Sequence, residues 1–327
     1  MKPFAYFKAS DEAAGVEAGT HPAARFIAGG TGLVDLMRLG VEAPAEVVDV
    51  NALPWGQIES TAEGLRIGAL VRNTELAYHP AVTSGYPVLS QAILSGASPQ
   101  VRNMATVGGN LVQRTRCSYF RDVGVAQCNK RSPGSGCAAR EGFSRMHAIL
   151  GGSDQCIAVH PSDMCVALAA LDAVVFTRGS RGPRTIPLGD FHTLPAAHPE
   201  VENVLERGEL VTHVFLPASA LARRSTYVKS RDRASFAFAL ASAAVALELD
   251  GKVIRQARVA LGGVGTRPWR SREAEQALVG QPMSRPLFER AGTAAVAGAR
   301  PVRDNAFKVK LAARVIVRAL ERAGEMA

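Results

Sequence analysis

All five cysteines of this 327-residue chain, Cys117, Cys128, Cys137, Cys156 and Cys165, fall within one stretch of 49 residues. Clustering of that kind asks for a chemical cause: disulfides, zinc, an iron–sulfur cluster, or burial as small apolar side chains. An odd count argues against disulfides, as does an N-terminus that carries Lys2 and Lys8 without an apolar leader. The C-x-x-C loops that wrap a tetrahedral zinc ion are missing, and so is the tight cysteine run of ferredoxins. Separations of 11, 9, 19 and 9 residues leave the metal open.

Charge gives a second clue. The chain carries 38 Lys and Arg against 29 Asp and Glu, a net charge of +9. Between residues 114 and 147 seven basic residues (Arg114, Arg116, Arg121, Lys130, Arg131, Arg140, Arg145) face two acidic ones, so five of the nine charges belong to the cysteine segment. A four-iron cubane held by four thiolates is a net dianion, and burying it calls for cations or N–H donors nearby. Aromatics make up only 6% of the chain, too few for a base-stacking nucleic-acid surface. Residues 129–136, all turn formers or basic, read as a loop wrapped around something. His147 and His160 lie in the same segment and read as hydrogen-bonding loop residues rather than ligands.

Two glycine loops precede the cysteines. The first, Gly29-Gly30-Thr31-Gly32, follows a short strand at residues 25–28 and precedes a helical run at 33–39. Glycines let the backbone approach a phosphate closely, and a helix start favours an anion. The dinucleotide fingerprint G-x-G-x-x-G fails because Asp35 stands at its third glycine. The second loop, Thr106-Val107-Gly108-Gly109-Asn110, runs straight into the cysteine segment. Two such loops favour a phosphate-bearing cofactor beside the cysteines, the layout of electron transfer.

The elements that must position these residues alternate short apolar runs with turns. Residues 64–69 read as a strand, residues 168–176 as helix passing to strand, and residues 178–187 as a solvated hairpin or loop. Residues 236–249 and 253–261 flank Asp250-Gly251, a hairpin signal. Three helices follow near 271–279, 286–297 and 307–323, the last with Arg314, Arg318 and Arg322 on one solvated face. No apolar run is long enough to span a membrane, and no Ser-His-Asp, H-E-x-x-H or paired-carboxylate motif appears. No side chain is expected to do bond chemistry on a substrate.

Val101-Arg102-Asn103-Met104-Ala105-Thr106-Val107-Gly108-Gly109-Asn110-Leu111, followed after the insertion by His160-Pro161-Ser162-Asp163 and an apolar helix, resembles the FAD-binding medium subunits of the molybdenum hydroxylases, the xanthine dehydrogenase and aldehyde oxidoreductase family. The resemblance spans nearly the whole chain. It implies an α+β architecture: a two-subdomain FAD-binding domain of the PCMH type at 1–218, with an insert at about 114–158, then a small C-terminal domain of sheet plus helices at 219–327. It implies that Phe26, Ile27, Ala28, Gly29, Gly30, Thr31, Gly32, Leu33 and Val34, with Thr106, Gly108, Gly109 and Asn110, cradle the FAD pyrophosphate. Asp163 would contact ribityl or ribose hydroxyls, and Lys229 would lie near the flavin.

The insert resembles that of periplasmic-type bacterial aldehyde oxidoreductases, in which it carries a four-iron four-sulfur (4Fe-4S) cluster. By that resemblance Cys117, Cys128, Cys137 and Cys156 are the ligands and Cys165 is a core residue. The expected protein is an electron-transfer subunit of a molybdenum-dependent aldehyde oxidoreductase, partnered by a large molybdenum subunit and a small two-iron subunit and delivering electrons to an external acceptor. Neither nucleic acid nor membrane is expected as a partner. The alternatives are the medium chain of a 4-hydroxybenzoyl-CoA reductase or a xanthine dehydrogenase-like hydroxylase and, from another class, a zinc-stabilised basic nucleic-acid module. With no signal expected on this chain, either co-export to the periplasm with a partner or a cytoplasmic location is compatible.

Overall fold

Short strands separated by helices near the N-terminus favour parallel pairing through crossovers. In the structure, a computed structural model describing residues 1–326, they form a three-stranded parallel sheet in the order Ala5–Lys8, Glu46–Asp49, Ala24–Ile27. The helix Glu12–Gly19 between the first two strands in sequence is capped by Asp11, whose carboxylate accepts from the Ala14 N–H at 2.9 Å.

A second, antiparallel sheet has five strands in the order Ile58–Ser60, Gly64–Gly68, Leu210–Pro217, Val174–Gly179, Gly182–Pro187. The Gly-, Pro- and Arg-rich stretch at 178–187 is the turn and return strand of a hairpin, with Gly182 in the left-handed region. Helices Asn73–Tyr78, Pro87–Ser95 and Asp163–Ala170 bury Leu76, Leu89 and Met164 against Ile67, Val175 and Val214 of this sheet.

The third sheet is antiparallel in the order Trp269–Arg270, Val253–Gly262, Ala241–Asp250, Ser225–Ser230. Its long strand is buried on both faces, which is why it reads as an unbroken apolar run. Ala243, Val245 and Leu247 face helices Arg285–Ala295 and Phe307–Glu325, while Ala244 joins the core of the preceding sheet together with Tyr227. Among the described residues no helix is long and apolar enough to cross a membrane. Arg314, Arg318 and Arg322 are exposed.

One expectation changes. The long strand begins at Ala241 rather than at Phe236, because Phe236 adopts a left-handed φ of 48° that no strand accommodates. The segment before it instead loops out toward a cavity. As its turn-forming residues imply, the insert is largely loop, with one four-residue helix, Ser118–Arg121, an antiparallel bridge between Cys128 and Cys137 and a parallel bridge from Leu150 to Gly265; side chains supply the rest of its order.

The helices Arg285–Ala295 and Phe307–Glu325 cross at Gly292, where a Cβ would lie 2.7 Å from the backbone oxygen of Ala313. Gly292→Val gains up to about 1 kcal/mol of helix propensity, but overpacking of this kind costs about 1–3 kcal/mol. The expected net result is a lower Tm; an unchanged or higher Tm in thermal unfolding would show that the helices can separate freely.

Candidate cofactor sites

The first glycine loop leaves the strand Ala24–Ile27 and enters the helix Leu33–Arg38, whose N-cap, Gly32, offers no side-chain acceptor. A Cβ on Gly29 would meet the Met104 carbonyl oxygen at 1.9 Å, so the two loops lie back to back. The second loop opens the helix Val107–Leu111, with the Thr106 hydroxyl accepting from the Gly109 N–H at 3.2 Å. Between the loops is a cavity of about 220 Å³ lined by Phe26, Ile27, Ala28, Gly29, Gly30, Thr31, Gly32 and Leu33 with Thr106 and Gly109. Val34, Gly108 and Asn110 are outside this lining: Gly108 packs on Ala69, and the Asn110 side chain is held by Gln113 and Ser162.

Arg114, Arg116 and Arg121 stand on the rim. Arg116 and Arg121 each reach Asp35 at 2.8 Å. Burial alone would raise the Asp35 carboxyl, but the two guanidinium groups hold it below its usual range. The residue that breaks the dinucleotide fingerprint therefore orients cations at the cradle. Around Gly32 no atom would lie within 4 Å of an added Cβ, so backbone is open to a ligand there. Open glycine backbone and rim arginines fit a diphosphate.

A second cavity, of about 300 Å³, lies at the seam between the helix Asp163–Ala170, the insert and the C-terminal sheet. Its walls include Pro161, Ser162, Asp163, Ala239, Gly262 and Gly263, with exposed Phe143 and Phe238 at its edge. Arg116 lines both cavities, so an elongated ligand with a diphosphate end and a flat apolar end fits the pair. Asp163, its side chain 9% exposed, is doubly held: Tyr227 donates to Oδ1 at 2.6 Å and Lys229 to Oδ2 at 2.7 Å. Burial and the neighbouring carboxylate push the Tyr227 hydroxyl well above its usual pKa. Lys229 thus reaches the cavity only through Asp163. Tyr227 was not anticipated, although the period of two along the strand Ser225–Ser230 puts it on the same face as Lys229.

Cys117, Cys128, Cys137 and Cys156 converge on the walls of one small cavity. Burial pushes the Cys117 thiol up to about 12 and that of Cys156 to about 11, the latter against the pull of Lys130. Metal binding must therefore displace protons. Tetrahedral zinc with Zn–S near 2.3 Å brings its sulfurs to about 3.8 Å apart. Among the described residues, no three of these thiols approach within 4.8 Å of one another, so they are not gathered around a single tetrahedral ion. Cys165 is elsewhere, fully buried in the helix Asp163–Ala170, its thiol pushed to about 12 by burial.

The insert's positive charge is spent differently from expectation. Arg114 pairs with Glu42 and Glu202, Lys130 with Glu202, Arg140 with Asp154 and Arg145 with Asp232. Arg131 donates to the carbonyls of Tyr119 and Phe120, both at 2.8 Å, and to that of Val125. Most of these cations fasten the loop, and Lys130 is the one whose charge acts on a thiol, that of Cys156. Of the two segment histidines, His160 is half-buried beside His192, ring centroids 4.4 Å apart, whereas His147 Nε2 lies 3.1 Å from Cys117 Sγ.

Because Gly29 leaves no room for a Cβ against backbone, Gly29→Ala is expected to part the loops and lower the flavin-to-protein ratio of the purified protein several-fold. Gly56→Ala, at an exposed position with open space, is expected to leave it unchanged. Equal flavin content in both variants, read from visible absorbance, would reject the cradle.

Residues 2–219 match the family of the FAD-binding domain in molybdopterin dehydrogenase, and residues 225–323 the CO dehydrogenase flavoprotein C-terminal domain. The chain is 50% identical over 328 residues to the aldehyde oxidoreductase FAD-binding subunit PaoB of Escherichia coli, covering 99% of each. It is 25% identical to the carbon monoxide dehydrogenase medium chain of Hydrogenophaga pseudoflava, over 92% of this chain and 89% of that one. Quinoline 2-oxidoreductase from Pseudomonas putida 86 superposes with a TM-score of 0.77 at 25% identity over 99% of each chain. The reconstituted CO dehydrogenase from Oligotropha carboxidovorans shares the fold, with a TM-score of 0.78 at 24% identity over 100% of each chain. The chain therefore belongs to the FAD-binding medium subunits of the molybdenum hydroxylases.

Proposed function

We propose that this subunit carries FAD and a 4Fe-4S cluster and serves electron transfer in a heterotrimeric molybdenum-dependent aldehyde oxidoreductase. Electrons from a large molybdenum subunit would arrive through the two-iron clusters of a small subunit and leave to an external acceptor. The aldehyde assignment rests on the whole-chain likeness to the E. coli subunit. The observation that carries the cofactor reading is the shared wall: Cys117 is the one cysteine of the four that lines both the thiol cavity and the larger cavity at the seam.

Flavin, when bound, supplies the exchange between two-electron and one-electron chemistry. The chain's own residues bind and orient it. The glycine loops would take the diphosphate, with Arg116 and Arg121 supplying charge already fixed by Asp35. Pro161, Ser162 and Asp163 would border the ring system, with Lys229 and Tyr227 each donating to the Asp163 carboxylate and fixing its orientation. Phe143 and Phe238, 65% and 43% exposed, mark the side from which an acceptor could approach.

The ligand set is tested by iron analysis of the purified complex. Cys128→Ser is expected to lose the four irons assigned to this subunit, and Cys165→Ser to keep them. Equal loss in both would reject the choice of four. Zinc in place of iron in the parent complex would reject the cluster itself.

A further inference from the structure

The strongest unexplained contact in the insert joins a histidine to one of the four cysteines. His147 is only 4% exposed, its Nε2 lies 3.1 Å from Cys117 Sγ, and its Nδ1 is buried without a hydrogen-bond partner. Its position is fixed from both sides. The His147 N–H donates to the Ser144 carbonyl at 2.9 Å, and the His147 carbonyl accepts from Asn305 at 3.3 Å.

The tautomer follows from this geometry. Opposite a metal-bound thiolate, a proton on Nδ1 would be a buried donor with nothing to donate to, while the Nε2 lone pair would face sulfur lone pairs. A proton on Nε2 points at the sulfur and leaves a buried acceptor on the other side, the smaller penalty. Once Cys117 is a metal-bound thiolate, Nε2–H···S becomes a charge-assisted hydrogen bond.

We infer that His147 is a positioning residue for the cluster, one that raises its reduction potential through an Nε2–H hydrogen bond to Cys117, at the corner that faces the flavin cavity. The inference rests on the cluster reading proposed above. A donor to a ligand sulfur stabilises the more electron-rich, reduced state, and hydrogen bonds to the sulfurs are among the determinants of cluster potential. Reduction adds one electron to the cluster and moves no proton: the imidazole keeps its hydrogen, and the electron comes from the reductant. The placement gives the contact a direction. His147 and Cys117 line the larger cavity together, whereas Cys128, Cys137 and Cys156 do not. The bond therefore acts on the side of the cluster nearest the flavin and sets the driving force between the two.

The test is a redox titration of the whole purified complex with dithionite, following the fast-relaxing EPR signal of the reduced four-iron cluster. His147→Phe keeps the ring volume and removes the donor. It is expected to retain iron and flavin while the cluster midpoint moves to more negative potential. His147→Gln, which keeps an N–H, is expected to stay close to the parent. A His147→Phe midpoint equal to the parent's overturns the inference. Should His147→Phe lose its iron, the parent decides: with ¹⁵N-labelled histidine in H₂O and D₂O, pulsed EPR must show one exchangeable proton and one histidine nitrogen coupled to the cluster, and their absence overturns the inference equally. Metal analysis of the parent comes first, and a parent without the four irons overturns the cluster reading and this inference with it.

Discussion

Between residues 114 and 158 the chain brings four cysteines to the walls of one cavity with almost no backbone ladder of its own. Ordering each residue costs about 1–2 kcal/mol of backbone entropy, and here the regular structure amounts to one four-residue helix, one internal bridge and one parallel bridge from Leu150 to Gly265. The compensation comes from side chains closing on backbone. Asn129 accepts from the Gly136 N–H at 2.8 Å and donates to the Gln155 carbonyl at 3.1 Å, so one side chain ties the loops that bear Cys128, Cys137 and Cys156. Arg131 ties the same loop to Tyr119 and Phe120, next to Cys117. Lys130 reaches out to the Pro199 carbonyl at 2.6 Å and anchors the loop to the body of the protein. A loop built this way is ordered by polar contacts that tolerate no apolar replacement, and a bound cluster adds four more tethers to the same frame.

That frame also explains why the larger cavity is where it is. The far end of the insert crosses to the C-terminal sheet: the N–H groups of Ile149 and Leu150 both donate to the Val264 carbonyl, and Asp304 accepts from the Ser144 N–H at 3.0 Å. From the other side, Asp163 ties the start of its helix to the strand Ser225–Ser230 through Tyr227 and Lys229. Two sets of contacts thus span the seam between the matched FAD-binding and C-terminal regions, and the cavity is the space between them. Breaking the Lys229–Asp163 pair would leave a buried carboxylate unpaired, at a cost of about 3–5 kcal/mol, so binding geometry and the joining of the two regions are not separable there.

The legible parts of the fold were those whose cause is local. The glycine loops, the Asp250-Gly251 hairpin and the three C-terminal helices all carry their signal within a dozen residues, and each is found within a few residues of its expected bounds. The four cysteines could be grouped by the resemblance because the insert is contiguous. What the sequence hid was partnership at a distance. Counting charge found seven cations around the cysteines but not that Arg114 answers Glu202, 88 residues on, or that Arg116 answers Asp35, 81 residues back. The His147 contact with Cys117 spans 30 residues of aperiodic loop, where no spacing rule applies. The start of the strand at Ala241 was hidden because Phe236, an apolar residue of good strand propensity, is held at a left-handed φ by the loop around the cavity.

Lys308 shows how far the cavity's requirements extend. It is fully buried on the last helix, and its Nζ donates to the Gly263 carbonyl at 2.8 Å. Gly263 turns under the cavity with φ of 71°, and a Cβ there would meet the Ala239 carbonyl oxygen at 2.7 Å, so the wall can be built only from glycine. Burial, then repulsion from Arg145, pushes the Lys308 ammonium down to about 7. An amphipathic helix would place this lysine in solvent; here it is spent on one wall carbonyl, at a desolvation cost that leaves its charge half present near neutral pH. The glycine turn and the lysine beneath it are thus two parts of one constraint: the turn needs a residue without a Cβ, and its carbonyl takes a buried donor from the last helix.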